Sequence, residues 1–70
     1  MDRMPVDSSA LRSVGYDAAR RVLEVEFVGG GVYAYDSVPR RVHGELMAAE
    51  SHGRYFVRRI RGRYPYRRLG

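Results

Sequence analysis

Residues 21–36 constrain the fold most. Leu23, Val25 and Phe27 alternate with Glu24 and Glu26, the period-2 pattern of a strand with one buried face. Gly29-Gly30-Gly31 interrupts it, and Val32-Tyr33-Ala34-Tyr35-Asp36 resumes strand-forming residues, so the segment reads as a β-hairpin. Loop length decides where the tyrosines go. A two-residue loop pairs Val28 with Gly31 and sets Tyr33 and Tyr35 on the glutamate face. A three-residue loop pairs Val28 with Val32 and sets them beside Leu23, Val25 and Phe27. One residue of slip flips every side chain. We expect the three-residue loop, because it uses all three glycines in the turn and unites five large side chains on one face.

Upstream, residues 8–17 alternate poorly but end with Val14 and Tyr16 on one face, which makes a first strand, and Asp17-Ala18-Ala19-Arg20 is the turn after it. Downstream, Ser37-Val38-Pro39 opens a helix with proline at its first position. Val38, Val42, Leu46 and Ala49 recur at helical spacing, and Gly44 among them suits a close approach to the sheet. Ser51-His52-Gly53 breaks this helix, and Ser51 can cap a second one over residues 54–61. In that helix Phe56 and Ile60 face the core, while Arg54, Arg58 and Arg61 form a stripe at i, i+4 and i+7. Gly62 ends it, and Pro65 keeps residues 63–68 extended.

The expected fold is therefore α+β: a three-stranded antiparallel β-meander, one main helix, and a short second helix on the same sheet face. Residues 1–7 read as a flexible arm, 8–61 as the single domain and 62–70 as a basic, aromatic arm. Seventy residues build one small core of marginal stability. There is no cysteine for a disulfide or a thiolate site. No apolar run reaches membrane-span length, and Met1-Asp2-Arg3-Met4-Pro5 lacks the apolar core of a signal peptide, so we expect a cytoplasmic monomer without membrane partners.

Charge is segregated. Residues 53–70 hold seven arginines (Arg54, Arg58, Arg59, Arg61, Arg63, Arg67 and Arg68) and no acid, whereas the preceding residues hold six arginines against eight carboxylates. The formal net charge of +5 is thus a +7 tail on a mildly acidic body. Every basic residue is Arg, which suits bidentate phosphate recognition and equally suits a GC-rich genome. Basic side chains interleaved with Tyr55, Phe56, Tyr64 and Tyr66 are the footprint of a phosphate-rich partner.

Other constellations carry less. Tyr33 and Tyr35 are either a base-stacking platform or core tyrosines, and we expect core, since a chain without Trp and with two Phe has few other large side chains. His43, His52, Ser8 and Ser9 lack the spacing of a nucleophile elbow or a zinc motif, so neither catalytic residues nor a metal are expected. Glu24 and Glu26 read as a solvated outer face, and the glycine run as a turn without the Lys-Ser/Thr of a P-loop.

The ordered series resembles a known family, the KTSC domain, found at the C-terminus of some lysyl-tRNA synthetases and as stand-alone bacterial or phage proteins. The matching features are Val6-Asp7-Ser8-Ser9, Gly15-Tyr16-Asp17, Leu23-Glu24-Val25-Glu26-Phe27 and the Tyr33-Ala34-Tyr35 hallmark. Val38-Pro39, Ala49, Ser51, Gly53, Tyr55-Phe56, Ile60-Arg61 and Tyr64 complete it. Val57 departs from the pattern, which favours Asn there. The resemblance implies no known activity and transfers no catalytic residue, its synthetase association points to RNA, and we expect no cofactor. We therefore expect a non-enzymatic nucleic-acid-binding domain. Arg54, Arg58 and Arg61 would lie on phosphates, Arg63, Arg67 and Arg68 would add charge, and Tyr64 and Tyr66 would stack on bases. The alternative is a module docking on an acidic protein of the transcription or translation machinery.

Overall fold

In the computed structural model, which describes residues 1–70, five strands and two helices follow one another in the order β1 (Met4–Pro5), β2 (Leu11–Asp17), β3 (Val22–Phe27), β4 (Val32–Tyr35), α1 (Arg40–Ala48), α2 (His52–Arg59) and β5 (Tyr66–Arg68). The strands form one antiparallel sheet in the order β1-β2-β3-β4-β5. The α+β reading holds; the count of three strands does not. Both added strands are very short, at two and three residues. Neither has an alternating pattern of its own, and both exist because an open sheet edge offers them backbone partners.

The hairpin keeps its expected parity in a shifted register. Val25 pairs with Tyr33 and Leu23 with Tyr35, so both tyrosines share the face of Leu23 and Val25. The loop has three residues, but they are residues 28–30. Gly30 N donates to the Phe27 carbonyl at 3.0 Å, and Phe27 N donates to the Gly31 carbonyl at 3.0 Å. Val28 is pushed out to solvent and Gly31 joins the ladder. Gly31 has φ +95°, and a Cβ there would lie 2.9 Å from the Tyr33 ring, so the third glycine is required beside the tyrosine rather than in the turn. A shift of two residues preserves every side-chain face.

A bulge at Arg12 explains the poor alternation upstream. Leu11 pairs with Phe27 but Ser13 pairs with Glu26, leaving Arg12 extra and exposed. Leu11 and Val14, three apart, therefore both enter the core.

That core is a single cluster. Leu11, Val14, Leu23, Val25 and Tyr35 of the sheet meet Val38, Val42 and Leu46 from the first helical segment and Phe56 and Ile60 from the second. Pro39 is the N-cap of α1 rather than its first residue, with ψ 150°. Val38 N donates to the Arg21 carbonyl (2.9 Å) and the Tyr16 hydroxyl donates to the Val38 carbonyl (2.6 Å), so the entry to α1 is tied to β2 and the β2–β3 turn. Gly44 is exposed, and a Cβ there would meet nothing within 4 Å, so it makes no close approach to the sheet. The close approach is at Gly53, where a Cβ would lie 3.1 Å from that of Ala10.

The opposite sheet face is covered by the chain's own N-terminus. A Cβ on Gly15 would lie 2.9 Å from the Asp2 carbonyl oxygen. Arg3 reaches across to Glu24 (2.6 Å) and to Ser13 Oγ (3.1 Å), and Ser13 donates to Glu26 (2.9 Å). Glu24 and Glu26 are thus half-buried partners of a polar network, not a solvated face.

Candidate functional site

Helix α2 places most of the tail's charge. Ser51 caps it, its Oγ accepting from Arg54 N at 3.2 Å, and Phe56 points inward. The helix ends earlier than the arginine spacing suggests. The Phe56 carbonyl accepts from both Ile60 N (3.0 Å) and Arg61 N (2.9 Å), and Gly62 follows at φ +75°. Arg61 thus lies beyond the helix, and the expected stripe divides. Arg54 and Arg58 stay together, joined by Arg59, around a polar hollow of about 360 Å³ with Ser51, Glu45 and Glu50. Arg61 lines a different cleft.

Glu45 forms no salt bridge with these arginines, although Arg59 is near enough to help hold its carboxyl down. The Tyr55 hydroxyl donates to it at 2.6 Å, and Arg41 sits 3.5 Å away. Together they hold its carboxyl below the usual range, with the tyrosine hydrogen bond as the largest cause. Burial first, then the bond to Glu45, pushes the Tyr55 phenol up to about 12. Of the seven tail arginines, Arg67 alone forms a salt bridge, to Asp36 at 3.0 Å. Arg63 instead donates to the Arg58 carbonyl (3.0 Å), closing the end of α2.

The second cleft, about 590 Å³, opens between α2, the hairpin tip and β5. Its walls are aromatic. Phe27 meets Tyr33 and Phe56 edge-on at 5.5 and 5.2 Å, and Tyr35 meets Phe56 edge-on at 5.4 Å. β5 pairs Tyr66 with Tyr35 and Arg68 with Tyr33, which lays Tyr66 against both tyrosines at 5.5 and 5.8 Å. The Arg68 guanidinium carbon sits 5.6 Å from the centre of the Tyr33 ring. Tyr35 is only 6% exposed whereas Tyr66 is 62% exposed, so one cleft joins a core tyrosine to a surface one. Burial raises the Tyr35 pKa, the neighbouring Tyr66 and Tyr33 add to this, and Arg61 opposes it.

The remaining candidates lie elsewhere. Arg67 projects from the opposite sheet face with Asp36, and Tyr64 packs half-buried against the core. His43 stacks on Tyr16 (4.7 Å, 8°), and His52 Nδ1 donates to the Leu46 carbonyl at 2.8 Å. Neither histidine belongs to a group of three or more potential metal ligands. Sequence reasoning missed Arg59, which the same arginine run could have supplied. It also missed Phe27 and Val57 as cleft residues, which no local pattern marks, because the cleft exists only once β5 lies beside β4.

Comparison with known proteins agrees with this architecture. The KTSC domain family matches residues 7–64. The chain belongs to the KTSC domain family. A KTSC domain protein from Yersinia pestis, solved by crystallography, superposes with a TM-score of 0.97 at 43% identity, covering 99% of this chain and 97% of that one. A protein of Stutzerimonas stutzeri is 48% identical over 56 residues, 80% of this chain and 79% of its own length. The lysine–tRNA ligase of Trichormus variabilis is 36% identical over 63 residues, 90% of this chain but 11% of the ligase. The KTSC domain is thus similar both to small proteins and to one segment of a much larger enzyme. In this KTSC domain no helix is long and apolar enough to cross a membrane.

Proposed function

We propose that this KTSC domain is a non-enzymatic nucleic-acid-binding module, directed first at RNA, that works as a cytoplasmic monomer without a cofactor. One observation carries the reading. Arg54, Arg58, Arg59 and Arg61 project from one helix and its end, and none has a carboxylate within salt-bridge distance. Cations without a salt-bridge partner are available to phosphates, and Glu45 and Glu50 in the same hollow offset only part of their charge. Arg63 and Arg68 flank them. Arg67 contributes less because Asp36 already offsets its charge. RNA is favoured over DNA because the similar segment in the ligases belongs to enzymes whose name includes tRNA.

Fluorescence anisotropy against a single-stranded RNA, a duplex RNA and a duplex DNA over a potassium chloride series tests this. Four phosphate contacts to a single strand give a log–log salt slope of about −3. The Arg54/Arg58/Arg59 triple Ala variant, shown to be folded, should lose most of the binding. A salt-independent affinity, or equal binding by the triple variant, sinks the reading. The competing partner is an acidic protein. Exposed Val57, 54% accessible beside Arg54 and Arg58, favours it, since an apolar side chain among arginines suits a protein interface. A stoichiometric complex that survives nuclease treatment would decide for it.

A further inference from the structure

The cleft walled by Phe27, Tyr33, Tyr35, Phe56 and Tyr66 differs in kind from the arginine hollow on α2. It is mainly apolar, no carboxylate lines it, and its one charged lining residue is Arg61. A second guanidinium, that of Arg68, lies over Tyr33 just outside the lining, its Nε donating to the Gly70 carbonyl at 3.0 Å and its other nitrogens free. The edge-on contacts of Phe27, Phe56, Tyr33 and Tyr35 lock the floor in place, so the site is preformed. Gly30, Gly53 and Gly62 put no side chains at the rim, leaving a slot beside the exposed Tyr66 ring.

Polar groups in the cleft are also unspent. The hydroxyls of Tyr16 and Tyr55 are engaged within the chain. Those of Tyr33, Tyr35 and Tyr66 are not, and no buried side-chain oxygen lacks a partner, so these three hydroxyls reach solvent. A ligand for this slot is flat and aromatic, carries hydrogen-bonding edges, and bears negative charge next to the ring.

We propose that the cleft is a nucleobase pocket. It takes one unpaired base stacked on Tyr66, with adjoining phosphates on Arg61 and Arg68. The base must be unpaired, because a base inside a duplex has both faces covered by its neighbours. This deepens the nucleic-acid reading and rests on it for biological context, but it makes a separate physical claim. The arginine hollow would supply charge, and the cleft would supply the preference for single strands.

The test is an NMR titration of the isotope-labelled 70-residue chain with adenosine 5′-monophosphate and, separately, with ribose 5-phosphate. The base-bearing probe should shift the amides of Gly30, Gly53 and Val57, and the sugar phosphate should not. Tyr66→Leu keeps an apolar side chain against Tyr33 and Tyr35 while removing the ring. It should weaken the nucleotide at least about 5-fold, the low end of what one stacked base contributes. Equal shifts from both probes, shifts confined to residues 54–59, or an unchanged affinity in Tyr66→Leu overturn the proposal. RNA binding that is lost in the Arg54/Arg58/Arg59 variant, with no nucleotide response in the cleft, leaves the phosphate reading standing and removes this one. A base-dependent cleft response in a chain that ignores RNA does the reverse.

Discussion

Tyrosine does three different jobs in this chain, and the environment of each hydroxyl separates them. Tyr35 is a core residue whose hydroxyl has no partner in the chain. Tyr35→Phe should therefore change stability by less than about 1 kcal/mol, whereas Tyr35→Ala should cost about 3–5 kcal/mol, a large part of what a domain this small possesses. Urea denaturation of both variants checks this, and equal losses would show that the ring is not what matters. Tyr66, though mostly exposed, packs on Tyr35 and Tyr33, so Tyr66→Ala should loosen β5 at a smaller cost than Tyr35→Ala. Tyr55 serves a different purpose, linking α2 to Glu45 on α1. Its phenol titrates at about 12 when folded against an ordinary 10.0. A raised folded pKa means stability that is whole below pH 10 and is lost as pH climbs toward 12. Denaturation midpoints should thus fall between pH 10 and pH 12, and Tyr55→Phe should flatten part of that fall. The part left over belongs to Tyr35, whose pKa is also raised. An identical fall in Tyr55→Phe would remove the hydrogen bond from the account.

At the scale of elements, the two short edge strands are held by what they cover rather than by their own sequence. β1 brings the N-terminus over Gly15, where the Asp2 carbonyl sits within 2.9 Å of any added Cβ. Gly15→Val should lift this segment, cost about 1–3 kcal/mol, and speed hydrogen exchange at Val6, whose N–H bonds the Arg12 carbonyl at 3.1 Å. Unchanged exchange at Val6 would mean the segment is anchored elsewhere. β5 is held by Tyr66 on Tyr35 and by Arg67 on Asp36, one contact on each face of the sheet. α2 depends on its cap, and Ser51→Ala should cost about 1 kcal/mol in thermal or urea unfolding. Because α2 carries Arg54, Arg58 and Arg59, fraying at its first turn should also weaken nucleic-acid binding.

For the molecule as a whole, the distribution of charge matters more than its sum. The arginines of the body are partly paired: Arg3, Arg12, Arg20 and Arg41 each meet a carboxylate. The tail arginines mostly are not. A pair of single variants tests whether this distinction is functional. Arg58→Ala should reduce the salt slope of single-stranded RNA binding by about 0.7, one phosphate's worth, while Arg67→Ala should leave it nearly unchanged because Asp36 already screens that charge. Equal effects would mean that net charge alone governs binding.

Local pattern was enough for the central elements. The alternation of Leu23, Val25 and Phe27, the helical spacing of Val38, Val42 and Leu46, and the Ser51 cap each depend on neighbours a few residues away. Their faces are set by the periods 2 and 3.6. Even the hairpin's slipped register kept Tyr33 and Tyr35 on the expected side, because the slip was even. Long-range pairing carried no such signal. Two residues of β1 and three of β5 are too short to show a period, and β5 takes its hydrogen bonds from a strand on the far side of both helices. The bulge at Arg12 hid the first strand by breaking its alternation. The candidate surface followed the same division. An arginine-rich tail was visible in the composition, but its separation into a charged hollow and an aromatic cleft depended on where α2 stops and on β5 folding back beside β4. The first is settled locally, by the bonds to the Phe56 carbonyl and by Gly62, and the second by backbone pairing and ring packing that form only when the sheet and the tail are assembled together.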